Sequence, residues 1–294
     1  MKCMLLGIDV GGTFIKYGIV EADGTILEQY QTPTHAEEGR DAMVGRIIRI
    51  ARELSQKAPG KPIGIGVPGV VDPQTKHVQS PPNLPGWVRV PLQQLVAEAT
   101  GVDVVVENDA NAGAIAEARA GAGKDLRDFL YVTLGTGVGG GIIFNNQLHT
   151  GPHGDAGEVG HIYMRSSMLD AEPSYTLENL IGRVGILNRY GGGDDVDVAD
   201  IDARAARGEA RALRVMVETG TLLGIGLCGM MAVLGLRTAI IGGGISRSNI
   251  ILDTARRTLA KRAIPTIAAS GQILPAHFMN DAGLVGAGML TMKA

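Results

Sequence analysis

Two stretches of this 294-residue chain share one pattern, and it constrains the fold more than any other feature. "MLLGIDVGGTFIKYGIVE" (4–21) and "FLYVTLGTGVGGGIIF" (129–144) each run an apolar segment into a Gly/Thr-rich turn and out into a second apolar segment. Short β-prone runs broken by glycines read as strands joined by tight turns. After the first comes a further turn, "ADGT", and a third strand, "ILEQYQT", so the chain opens as a β-meander. The second continues through "NNQLH" in the same way. A meander met twice, each time followed by helices and strands, predicts a duplicated α/β architecture. The length suits two lobes of roughly 100–200 residues each.

Between and after these meanders the periodicity alternates. "AMVGRIIRIARELSQK" has helical spacing, "LQQLVAEATG" is a helix closed by glycine, and "ANAGAIAEARAGAG" is an Ala-rich helix. "VDVVVEND" (102–109) is a continuous apolar run of the parallel, doubly covered kind. "DAGLVGAGMLTM" is a closing helix. The run 219–236 has 18 residues without a charge, long enough to suggest a membrane span. It holds five glycines, follows the amphipathic "GEARALRVMVE" and leads into a strand, so a buried helix is expected and no membrane partner.

Net charge is -3 and no basic stripe is evident, so no nucleic-acid partner is expected. With two cysteines, Cys3 and Cys228, a disulfide framework and a Cys-rich zinc site are excluded, and the chain reads as cytoplasmic. Met1 leads almost directly into the first strand, without the basic region and cleavage site of a signal peptide.

Several segments carry candidate chemistry. "GTGVGG" (135–140) fits G-x-G-x-x-G, but "GIIF" follows as strand, whereas a dinucleotide fingerprint requires a helix there. A hairpin presenting backbone N–H groups and Thr136 to a phosphate chain is the better reading, its glycines permitting close approach and positive φ. "IDVGGT" (8–13) offers the same chemistry with an acid, Asp9, whose role as base, metal ligand or turn residue stays open on this stretch alone. Two such turns suit a polyphosphate with its Mg²⁺. Asn108 and Asp109 follow a buried strand at a helix start. Both are good N-caps, and a carboxylate at that strand end is also placed to accept a proton from a hydroxyl. "GDAGEVGH" sets Glu158 and His161 three apart, and "IIGGGIS" (240–246) is a strand, glycine turn and helix start.

Together these segments resemble the sugar-kinase branch of the ROK family (repressors, unassigned frames and kinases), within the actin, hexokinase and heat-shock-chaperone ATPase superfamily. "IDVGGT" resembles its first phosphate motif, "VTLGTGVGGGII" the second and "AIIGGGIS" the adenosine motif. "NLPGW" resembles a sugar-side loop, "ENDANAGAIAEA" the catalytic segment, "GEVGH" a sugar-contact segment and "TLEN" the last of these.

The resemblance implies a two-lobed actin-like ATPase (ribonuclease H-like) fold with the active site in the interlobe cleft. The lobes would be 1–110, with the C-terminal helix 282–294 packed back on it, and 111–281. It implies an ATP- and Mg²⁺-dependent hexose kinase, glucose first, with an N-acetylhexosamine kinase, a fructokinase or a weakly catalytic sugar-binding regulator as alternatives, and a homodimer. Asp109 would be the general base. Asn83, Asn108, Asp109 itself, Glu158, His161 and Glu178 would hold the sugar. Asp9, Gly11, Gly12, Thr13, Thr136 and Gly137 would lie along the phosphates, Asp9 meeting Mg²⁺ through water, and Gly242, Gly243 and Gly244 would approach the adenosine. Two departures stand out. Many members carry Cys-x-Cys-Gly-x-x-Gly-Cys after the Gly-His, where this chain has "IYMRSSMLDAEPSYTLEN", so no zinc is expected. Phe14 stands where many relatives carry Lys, and Lys16, on the same strand face, is the candidate replacement. No room for a helix-turn-helix domain precedes Ile8, against a DNA-binding repressor.

Overall fold

The computed structural model describes residues 4–79, 81, 84, 86–164, 175–191 and 196–292. Two compact units emerge: residues 1–126, 141–156 and 281–294 form the first, and 127–140 and 157–280 the second.

The first unit opens with β1 (Met4–Val10), β2 (Phe14–Glu21) and β3 (Ile26–Pro33), antiparallel as the meander predicts. Helix α1 (Arg40–Lys57) leads to β4 (Ile63–Val67), which pairs parallel to β1. A small ladder, β5 (Val70–Val71) with β6 (Val78–Gln79), precedes α2 (Leu92–Thr100), which ends at Gly101 in the left-handed region. Then come β7 (Val104–Asn108), parallel to β4, and α3 (Asp109–Ala120). The sheet order is β3-β2-β1-β4-β7. All five β4 residues are buried, as expected of a strand covered on both faces.

The second sheet has the order β10-β9-β8-β11-β12, from β8 (Phe129–Leu134), β9 (Val138–Phe144), β10 (Gln147–His149), β11 (Thr238–Gly242) and β12 (Gln272–Pro275). Helices α4 (Leu177–Ile181), α5 (Arg183–Tyr190), α6 (Val198–Ala206) and α7 (Ala210–Leu234) lie between β10 and β11, and α8 (Asn249–Arg262) and α9 (Pro265–Ser270) between β11 and β12. The apolar run 219–236 falls in α7, which packs along α8; a Cβ at Gly224 would crowd Thr258 and the Ala255 carbonyl.

The C-terminal α10 (Ala282–Met289) belongs to the first unit and lies on β1, β4 and α3. The approach is close: a Cβ on Gly64 of β4 would overlap the Ala287 carbonyl, and one on Gly286 the Ala112 carbonyl. Arg119 of α3 donates to the Met289 carbonyl at 2.8 Å, satisfying a carbonyl at the helix end. This packing keeps α3 in the first unit, so that unit runs to residue 126, not 110 as the sequence suggested, and it also takes in 141–156.

Candidate active site

In the first unit, three strand ends converge on two carboxylates. Asp9, next to last in β1, lies opposite Lys16 of β2, and Asp109 follows β7. Between them β4 presents Gly66, in register with Asp9 on one side and Glu107 on the other. A Cβ on Gly66 would lie 3.5 Å from the Asp109 Cα and 3.8 Å from Asp9 Oδ1. The start of α10 supplies a second gap, since a Cβ on Gly283 would stand 2.5 Å from Asp9 Oδ2.

The electrostatics follow from this placement. Asp9 is pushed up to about 7, mainly by burial and then by the charge of Asp109; Asp281 adds to the rise and Lys16 opposes it. Burial also raises Asp109, against the lowering effect of the Ala110 N–H and its own N–H. Lys16 reaches Asp281 at 3.2 Å, and Gln29 Nε2 donates to the same oxygen at 3.0 Å. Like-charged carboxylates in one desolvated place are costly to ionise together.

Asn108 is the N-cap of α3: Oδ1 accepts from the Ala110 and Asn111 N–H groups, and Nδ2 donates to the Gly69 carbonyl. Among the described residues, its second amide hydrogen has no partner. Asn83 lies outside the described residues, while Leu84 and Trp87 of its loop are buried.

The first glycine turn closes with the Gly11 N–H donating to the Phe14 carbonyl at 3.0 Å. Neither Gly11 nor Gly12 adopts positive φ, nor do Gly135 and Gly137; close approach explains Gly11, where a Cβ would stand 2.8 Å from the Phe14 carbonyl, and Gly137, where it would overlap Glu178. Thr34, fully buried, clamps the first turn: its Oγ1 donates to the Gly11 carbonyl at 2.7 Å and its N–H to the Thr13 carbonyl at 2.9 Å. Arg46 holds the Thr34 carbonyl at 2.7 Å. Sequence reasoning missed both, because residues 21 and 33 positions after Thr13 carry no motif linking them to it. It also missed Glu107, which accepts from Asn111 Nδ2 at 3.0 Å.

In the second unit, the Gly135 N–H donates to the Gly137 carbonyl, closing the β8–β9 turn. Gly135 and Thr136 line a cavity of about 360 Å³ with Gly244, so the β8–β9 turn and the glycine turn after β11 meet there. Of the glycines 242–244 only Gly244 lines it. Gly242 packs against Tyr131, and Gly243 takes φ +81° beside Leu134. The walls include Arg183 and Arg247, apolar Met216 and Ile245, and Asp202, whose Oδ1 accepts from Ser248. None of these stood out in the sequence, since they come from separate helices and turns.

Glu158 and His161 occupy one 3₁₀ turn, largely exposed and 3.8 Å apart. Glu178 stands in the first turn of α4, and its Oε2 accepts from the Val138 N–H at 2.9 Å, over Gly137. Short ladder contacts join the flanks of the segment where relatives carry cysteines: Tyr163 bridges Thr176, Met164 N–H donates to Tyr175 and Leu177 N–H to Ile162.

The fold is shared with a crystal structure of a ROK family glucokinase from Streptomyces griseus in complex with glucose and AMPPNP. The TM-score is 0.87 at 30% identity, covering 98% of this chain and 99% of that one. This likeness defines a sugar kinase of the two-domain actin-like ATPase fold. The chain belongs to the ROK family, whose sequence pattern it matches over residues 5–294. It is 30% identical to a glucokinase from Thermotoga maritima, over 97% of this chain and 96% of that protein. It is 28% identical to an N-acetylmannosamine kinase from Shigella flexneri, over 97% of both.

Proposed function

We propose that the chain transfers the γ-phosphoryl group of Mg-ATP to O6 of an aldohexose, with glucose the first choice. The observation that carries this reading is the Asp9–Asp109 pair. Burial raises both carboxyls, and the two charges oppose each other. A raised carboxyl at the end of a strand suits a general base, because its proton affinity moves toward the working pH. A partly buried pair of carboxylates also suits a divalent cation.

Among the described residues no group of three or more His, Cys, Asp or Glu is set to hold a metal by itself. Mg²⁺ does not require one, since it is commonly held by one or two carboxylates with waters and substrate phosphates. Asp9 would hold it through water, and the bound ion would neutralise charge on the β- and γ-phosphates.

Asp109 takes the proton from O6 as the O6–phosphorus bond forms and the bond to the leaving ADP breaks. Gly11, Gly12 and Thr13 of one turn, and Thr136 and Gly137 of the other, hold phosphate oxygens. Lys16, held by Asp281 beside Asp9, adds positive charge there. The cavity at Gly244, with its Met216 and Ile245 walls, supports a nucleotide over a bare polyphosphate as phosphoryl donor, because a base needs apolar cover. Gly242 and Gly243 shape that turn without lining the cavity. Asn83, Asn108, Glu158, His161 and Glu178 hold the sugar hydroxyls. Exposed Ile225 and Val233 on α7 support the expected homodimer.

The test is ADP release from ATP, and phosphate transfer from polyphosphate, over glucose, fructose and N-acetylmannosamine, with Asp109→Asn as control. Failure of every sugar to raise ADP release above the control sinks the reading. The 28% identical relative gives a second reading, and N-acetylmannosamine outpacing glucose would put it first.

A further inference from the structure

The Glu178 contact points beyond sugar recognition. Its carboxylate is the acceptor for the N–H of Val138, the first residue after the β8–β9 turn. Gly137 leaves the space it fills: a side chain there would collide with Glu178 Oε2. A second bond fixes the same turn, from the Arg183 N–H to the Gly135 carbonyl at 3.1 Å. The Gly182 N–H donates to the Glu178 carbonyl, and a Cβ on Gly182 would stand 3.1 Å from the Thr136 carbonyl. The α4–α5 junction is therefore seated directly against the turn proposed to hold the phosphates. Leu177, one residue earlier, is bonded to Ile162 beside His161.

We infer that Glu178 is a positioning residue for the phosphate turn as well as a sugar contact, so that one side chain ties the two substrates' sites together. The inference rests on the proposed kinase reading and deepens it. One carboxylate oxygen, Oε2, serves the Val138 N–H, and a carboxylate has acceptor capacity for a sugar hydroxyl besides. Glutamine keeps an oxygen for the Val138 N–H but replaces the second acceptor with an NH₂ donor. Aspartate keeps the charge but is one methylene short of the turn.

The experiment is calorimetric titration of Mg-ADP without sugar, then of glucose, into wild type, Glu178→Ala, Glu178→Gln and Glu178→Asp, each checked for a cooperative thermal transition. Losing a charged-acceptor bond at the turn is expected to weaken Mg-ADP about tenfold in the alanine and aspartate variants. Glutamine is expected to restore nucleotide affinity while glucose affinity stays low. The aspartate and glutamine variants carry the test if the alanine variant does not fold. Wild-type Mg-ADP affinity in the alanine or aspartate variant overturns the inference, as does failure of glutamine to restore it. The nucleotide titrations contain no sugar, so they remain decisive even if glucose proves not to be the substrate.

Discussion

Replacing Asp9 by Asn tests the energetics of the carboxylate pair directly. In the folded chain Asp9 titrates at about 7 against 3.8 for an ordinary aspartate. At about 1.4 kcal/mol per pH unit, ionising it in place costs about 4 kcal/mol relative to the unfolded chain. This is a ceiling, because Asp9 is only partly buried and water screens part of the cost. An acid with a raised native pKa holds its proton more tightly when folded. The native state thus binds more protons than the unfolded state between about pH 4 and 7, and stability falls as pH rises through that window.

Asp109, Lys16 and Asp281 are the charged groups acting on Asp9. Asp109 reinforces the trend, since burial raises it too, and Lys16 moderates it. Asparagine has nearly the shape of the protonated acid and never ionises. Urea denaturation of ligand-free wild type and Asp9→Asn should give similar stabilities near pH 4. By pH 8 the variant should be the more stable, by up to about 4 kcal/mol. The same variant should lose Mg-ATP turnover while keeping glucose affinity. A stability difference that does not change with pH, or a variant less stable at pH 8, would refute the electrostatic argument. Equal loss of glucose binding would refute the division of labour between Asp9 and Asp109.

Other perturbations probe separate parts of the site. Asp109→Asn should lower kcat by about 10²–10⁴-fold with little change in Mg-ADP affinity, measured by ADP release and calorimetry. Thr34→Val keeps the volume but strands the Gly11 carbonyl, so denaturation should show a loss of about 1–3 kcal/mol and kinetics a raised KM for Mg-ATP at unchanged glucose affinity. Gly64→Ala forces a methyl into the Ala287 carbonyl of α10, and a loss of about 1–3 kcal/mol should appear as a lower Tm; an unchanged Tm would contradict the packing of α10 on β4.

The two strand–turn–strand units were legible because their signal is local: apolar runs of strand length broken by glycines within a few residues. The rejection of a dinucleotide fingerprint at Gly135–Gly140 was legible for the same reason, since the strand that follows, β9, is encoded in adjacent residues. Asn108 and Asp109 were ambiguous between cap and site in the sequence; in the structure Asn108 caps α3, and Asp109 lies close enough to Asp9 for its charge to raise that carboxyl. The expected boundary at 110 failed because α3 is held by α10, more than 160 residues away in the chain, a partner that no pattern near residue 110 announces.

The sequence by itself determined the order of strands and helices, the two glycine turns and which carboxylates end their strands, because periodicity and turn chemistry act over a few bonds. Only the tertiary structure decided that Asp9 and Asp109 share one desolvated place over Gly66. It alone revealed Thr34 as the clamp of the first turn and Glu178 as a support of the second. Those relations depend on backbone approaches that side-chain-free glycines permit, and chain separation hides such approaches until the elements pack.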